Sequence, residues 1–91
     1  MKPIIEKVVR EFVARVDGLE FSVKARISET LAGEDVGTFY WAISHYYSAT
    51  ENGQAYAPGT RTFSTLADAE MTLMLYLRGF TSFGVQPDRY Y

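Results

Sequence analysis

A single histidine, His45, is the one conventional acid–base side chain of this 91-residue sequence with an ordinary pKa near neutrality. As a general base it needs a nucleophile within hydrogen-bond reach and an acid to orient its ring. The spacing nominates neither, and His45 lies within an aromatic run, Phe39 to Tyr47, where a structural role is the simpler reading. Paired carboxylates offer a second route to acid–base work. Glu29, Glu34 and Asp35 fall in a glycine-containing stretch, however, and read as a solvated loop face. Their spacing does not reproduce the alternating oxygen ligands of a calcium loop. No glycine pattern matches a phosphate-binding loop, and a chain without cysteine has no thiolate ligand. The expectation is a non-catalytic protein that needs no metal and no cofactor.

The aromatic run is the better candidate for a surface. Read as a strand, it places Phe39, Trp41, Ile43, His45 and Tyr47 on one side and Tyr40, Ala42, Ser44 and Tyr46 on the other. Trp41 and Ile43 belong in a core, which turns Tyr40 and Tyr46 outward beside Lys24 and Arg26 of a neighbouring strand. Tyrosines among cations can stack single-stranded bases, with Arg61 as a further contact. They equally suit a protein partner, since Tyr and Arg are enriched at interfaces, and they occur on ordinary strands. A net charge of −2 and nine dispersed basic residues disfavour binding by phosphate neutralisation. A protein partner is therefore preferred, single-stranded or duplex nucleic acid is the alternative, and an enzyme with an unidentified site is the third reading.

These side chains must be positioned by a few elements. The stretch from Thr62 to Gly79 reads as a strand end, a Thr65 N-cap with Asp68 three residues on, four turns of helix and a glycine stop. Leu66, Ala69, Leu73, Tyr76, Leu77 and Phe80 share one helix face and should pack on a sheet. Ala67, Met71 and Leu75 point the other way, with Met74 between the faces. A helix apolar nearly all round needs cover on both sides. Either the N-terminal segment or the aromatic tail supplies it, or a second copy does, so Ala67, Met71, Met74 and Leu75 are the candidate dimer interface.

Leu19 to Ser28 alternates apolar and polar residues without a fault, as a half-buried strand does. Asp17-Gly18 before it suits a two-residue hairpin turn with positive φ at both central positions. Counting from that turn pairs Arg15 with Glu20 and Glu11 with Lys24, and groups Phe12, Ala14, Phe21 and Val23 on the apolar face. Arg10 is the misfit there, and the pairing is expected to fray at it. Residues 3–17 also fit a helical wheel through Ile4, Ile5, Val8, Val9, Phe12, Val13 and Val16. A short N-terminal helix or turn leading into a strand from about Glu11 satisfies both patterns, and the sequence leaves the boundary between helix and strand open. Ser28–Gly37 reads as a loop, Thr38–Ser48 as a strand and Thr50–Gln54 as a turn. Ala55–Phe63 reads as an edge strand broken at Pro58-Gly59. The tail after Gly79 either docks or is loose.

The run Gly59-Thr60-Arg61-Thr62-Phe63-Ser64-Thr65, with Ala67-Asp68-Ala69-Glu70 after it, resembles the strand-to-helix junction of AP2-like and integrase-arm DNA-binding modules. The resemblance is confined to residues 59–70 and implies a three-stranded sheet preceding one helix. This sequence lacks the density of Arg and Lys that such sheets present to DNA.

Together these patterns predict a single α+β domain over residues 1–91. It is an antiparallel meander of three to four strands, with one C-terminal helix across one face and a possible short N-terminal helix. A hydrophobic fraction of 47% excludes disorder. A domain this small buries only about two-thirds of its unfolded surface, which gives oligomerisation a stabilising role. No stretch is long and apolar enough to cross a membrane, and the opening Met1-Lys2-Pro3-Ile4-Ile5-Glu6 does not resemble a signal peptide. The expected protein is a cytoplasmic interaction module of bacterial or phage type, homodimeric through its helix and protein-binding through its tyrosine-rich sheet face.

Overall fold

The computed structural model describes residues 3–91; Met1 and Lys2, the head of the segment read as unlike a signal peptide, lie outside it. Four strands form an antiparallel sheet in the order β1 (Ile5–Ala14), β2 (Val23–Ala32), β3 (Phe39–Ile43) and β5 (Thr62–Phe63). A separate two-stranded ladder joins β4 (His45–Tyr46) to β6 (Gln86–Pro87), and helix α1 (Leu66–Arg78) lies across the large sheet. This is the expected α+β meander with its C-terminal helix. Among the described residues, no helix is long and apolar enough to cross a membrane.

The core forms where α1 meets β2 and β3. Val23, Ala25 and Ile27 alternate along β2 and are fully buried, opposite Trp41 and Ile43 of β3 and beneath Ala69, Leu73 and Tyr76 of the helix. Ala25 faces Ile43 and Ile27 faces Trp41 across the ladder, so these rows share the helix side of the sheet. The Trp41 indole N–H donates to Thr72 Oγ1 at 3.2 Å, which satisfies the polar edge of a buried ring. Tyr47, Tyr56 and Tyr76 close one end of the core. Tyr56 donates to the Tyr47 hydroxyl (3.0 Å), Tyr47 to the Tyr76 carbonyl (3.3 Å) and Tyr76 to the Tyr56 carbonyl (2.9 Å). Burial, chiefly, raises the Tyr47 and Tyr76 hydroxyls above the ordinary tyrosine pKa. Gly79 allows the close packing here, because a Cβ at that position would stand 2.7 Å from the Tyr47 hydroxyl.

The N-terminal hairpin departs from expectation in register. Val13 pairs with Lys24 and Glu11 with Arg26, two residues along from the predicted partners, so neither Glu11–Lys24 nor Arg15–Glu20 is a ladder pair. Asp17-Gly18 does turn the chain, with Leu19 N–H donating to the Val16 carbonyl, but only Gly18 has positive φ (+92°). The strands then pair only from Ala14 and Val23, leaving residues 15–22 outside the ladder. A shift of two conserves which face each side chain occupies. Phe12 and Ala14 therefore still share a face with Ala25 and Val23. Phe21 falls outside the strand. It is 44% exposed and stacks on the His45 ring with centroids 4.5 Å apart, rather than filling the core.

The N-terminal segment is strand from Ile5 and not helix. Its apolar doublets, Val8-Val9 and Phe12-Val13, mimic a helical wheel. In β1 the register shifts between Val8 and Arg10, and Val9 is the extra residue of a β-bulge. The pairing continues through Arg10 without fraying. Arg10 Nε instead reaches up from the helix side to Glu70 Oε1 of α1 at 3.0 Å. With both side chains well exposed, that bridge is worth only about 0–1 kcal/mol and mainly links the first turns of α1 to β1.

Three other boundaries shift. β2 runs on to Ala32, so the loop begins at Gly33, not Ser28. The aromatic strand breaks at Ser44, whose hydroxyl accepts the Lys24 amide (2.9 Å) and thereby ends the β2–β3 ladder. Of the segment Ala55–Phe63 only Thr62–Phe63 is strand, at the sheet margin, with an isolated Tyr47–Tyr56 bridge before it.

Candidate functional site

Two surfaces carry the candidate residues. The first is the outer face of α1. Thr65 caps the helix as expected, its Oγ1 accepting the Asp68 amide at 3.1 Å, and Arg78 ends it. One side of the helix is committed to the core through Ala69, Leu73 and Tyr76. The opposite side carries Met71 at 57% and Leu75 at 64% exposure, with Ala67 also exposed and Met74 half-buried against the core. Glu70 and Arg78 flank this patch and line a shallow groove with it. Neither the N-terminal segment nor the tail covers it: the former is β1 and the latter binds elsewhere.

The second surface is the sheet face away from the helix. Register places Tyr40 opposite Ser28 and Thr62, and Ala42 opposite Arg26. Arg61, beside β5, sets its guanidinium 5.5 Å from the Tyr40 ring centre and donates to the Tyr46 hydroxyl at 3.2 Å. Tyr40, Tyr46 and Arg61 are thus brought together, as the sequence suggested. Arg26 is nearby but engaged, donating to the Tyr91 carbonyl (2.9 Å) with its guanidinium 4.2 Å above the Tyr91 ring. Lys24 is exposed on β2, and among the described residues its ammonium has no hydrogen bond or ion pair to this cluster.

What engages the face is the tail. Gln86–Pro87 adds to β4 as a strand, and the Asp88 amide donates to the Ser44 carbonyl at 2.8 Å. The Asp88 carboxylate accepts the Tyr46 hydroxyl at 2.7 Å through Oδ2 and the Tyr90 amide at 2.9 Å through Oδ1. Burial by itself would raise the Asp88 pKa. Those two hydrogen bonds and the Arg61 charge more than offset it and hold the carboxyl below its ordinary value. Tyr46 is shifted upward, chiefly by burial and then by its bond to Asp88, against the opposing pull of Arg61. The result is a polar chain from Arg61 through Tyr46 to Asp88. Asp88 and Tyr91 were not among the sequence candidates. The only signal for them was a lone acid three residues before the last aromatic of an aromatic-containing tail.

His45 sits at the junction of β4 and the 15–22 segment. Its Nδ1 is 2.8 Å from Ser44 Oγ, and the ring stacks on Phe21. The Ser44 hydroxyl is already accepting the Lys24 amide, so it serves the backbone as well as the imidazole. Burial lowers the His45 pKa. Of the acids considered for catalysis, Glu29 belongs to β2 opposite Lys7, and Glu34 and Asp35 are exposed in the loop after it. Among the described residues, no three His, Asp or Glu side chains are grouped to hold a metal ion.

Compared with known protein families, curated proteins and solved structures, the chain matches none.

Proposed function

We propose that this protein is a small non-catalytic interaction module that pairs with a second copy through α1 and engages a protein partner through its tyrosine-rich sheet face. The observation that carries the first part is the exposure of Met71 and Leu75 on a helix whose other side is fully committed to the core. Contiguous apolar surface beside a polar rim is characteristic of an interaction site. The charges are self-complementary. Two copies of α1 crossing antiparallel about Met74 set Glu70 of each opposite Arg78 of the other, with the methionines and Leu75 between them. An isologous contact of this kind uses the same patch twice and closes.

Light scattering on a size-exclusion column, across a tenfold dilution series, tests the reading. A mass near twice 10.3 kDa that Leu75→Glu or Met71→Glu reduces to a folded monomer supports it. A wild-type monomer at every concentration rejects the pairing. For the sheet face, engagement of Arg26 and Arg61 by Tyr91 and Tyr46 favours a protein partner over nucleic acid, because the guanidiniums already have aromatic and peptide company.

A further inference from the structure

The 86–91 segment is bound as a peptide ligand would be. After Ser44 the chain leaves the β2 ladder, and β4 takes Gln86–Pro87 as its antiparallel neighbour. Strand addition of this kind supplies affinity through main-chain hydrogen bonds, and side chains held in pockets supply specificity. The strand ends at Pro87, and Asp88–Tyr91 folds into a turn in which the Tyr91 amide donates to the Asp88 carbonyl at 3.1 Å. Here the specificity elements are Asp88 and Tyr91, both half-buried, while Gln86, Pro87, Arg89 and Tyr90 are exposed. The Asp88 carboxylate takes the Tyr46 hydroxyl, and the Tyr91 ring and carbonyl take the Arg26 guanidinium.

From this geometry we infer that the β4 edge, with Tyr46, Arg61 and Arg26, is a docking site for a peptide that adds two residues to β4 as a strand and then turns, with an aspartate opening the turn and a tyrosine three residues later closing it. In the isolated domain its own 86–91 segment fills the site. The inference deepens the sheet-face half of the function proposed above and is independent of pairing through α1. A tethered segment competes at an effective concentration on the order of millimolar, so a free peptide meets a largely occupied site. Loosening the tether's own anchor opens it.

The probe is a fluorescently labelled Gln-Pro-Asp-Arg-Tyr-Tyr peptide, titrated by anisotropy into the full chain, wild type and Asp88→Ala. The variant is expected to bind at least about tenfold more tightly than wild type, because its own segment no longer competes fully. A peptide with alanine in place of its aspartate should bind neither. Tyr91→Ala, which alters no ladder residue, is run in parallel in case Asp88→Ala does not fold, with the same expected gain. Equal binding by wild type and both folded variants overturns the inference, as does undiminished binding of the alanine peptide. Leu75→Glu should leave the titration unchanged, so failure of the peptide site and failure of helix pairing are read separately.

Discussion

Leu73 and Leu75 lie two positions apart on α1, one at 0% and the other at 64% exposure, and the same truncation should act on different equilibria. Leu73→Ala removes methyl groups packed among Trp41, Ile27 and Tyr76, and large-to-small changes at such sites cost about 2–5 kcal/mol. For a domain of this size that lowers the thermal midpoint by at least about 8 °C. Leu75→Ala leaves no cavity in the monomer, and its stability cost should stay within about 0.5 kcal/mol. If α1 pairs as proposed, its effect falls on the dimer. Burying a whole leucine is worth about 1.5–3 kcal/mol, and roughly two-thirds of Leu75 remains to be covered, which gives about 1–2 kcal/mol per copy. A symmetric dimer counts it twice, for about 2–4 kcal/mol, or a rise in the dimer dissociation constant of about 30- to 1,000-fold. Thermal melts and sedimentation equilibrium on both variants measure the two effects. Should Leu75→Ala destabilise as much as Leu73→Ala while the mass stays the same, the outer helix face is covered within one chain and the reasoning fails.

Thr72→Val takes the acceptor from the Trp41 indole N–H in a buried setting and should cost about 1–3 kcal/mol by denaturant unfolding, whereas Thr72→Ser should retain most of the stability. Thr65→Ala removes the helix N-cap and should cost about 1 kcal/mol, with Thr65→Ser close to neutral in the same assay. His45 has its pKa lowered by burial in the fold. As pH falls below the unfolded value of about 6.5 the unfolded chain takes up a proton that the fold resists, so stability declines until the folded group also titrates. A series of midpoints between pH 8 and pH 5 should show that slope, flattened in His45→Gln; an unaltered slope in the variant assigns it to other groups.

The parts of this fold legible in sequence are those where side-chain period and capping chemistry agree. Thr65, the Leu66–Leu73–Tyr76 stripe and the Val23–Ile27 alternation appear in the structure where their spacing puts them. Period two identifies faces and says little about partners. The β1–β2 register therefore slipped by two residues while Phe12 and Ala14 kept their side of the sheet. The bulge at Val9 was hidden for a related reason: an extra residue resets the alternation and leaves the doublet Val8-Val9, which together with Phe12-Val13 imitates a helix. On the candidate surface, Tyr40, Tyr46 and Arg61 follow from strand parity and from the position of Arg61 before β5. The role of Asp88 and Tyr91 does not, because it depends on contacts across more than forty residues of sequence, with no local pattern to announce them.

The two margins of the large sheet are unequal, ten residues of β1 on one side and two of β5 on the other. Stacking copies margin to margin, β1 of one on β5 of the next, joins unlike surfaces and has no natural end, which is how fibres grow. The kink at Val9, together with Glu6, Lys7, Arg10 and Glu11 along the same strand, spoils β1 as a template, and β5 is too short to serve as one. An exposed apolar helix face then carries modest risk of open-ended growth, because the antiparallel pairing proposed for it would saturate at two copies. Deleting Val9 removes that bulge and should produce turbid, open-ended polymer at concentrations where the wild-type chain stays clear.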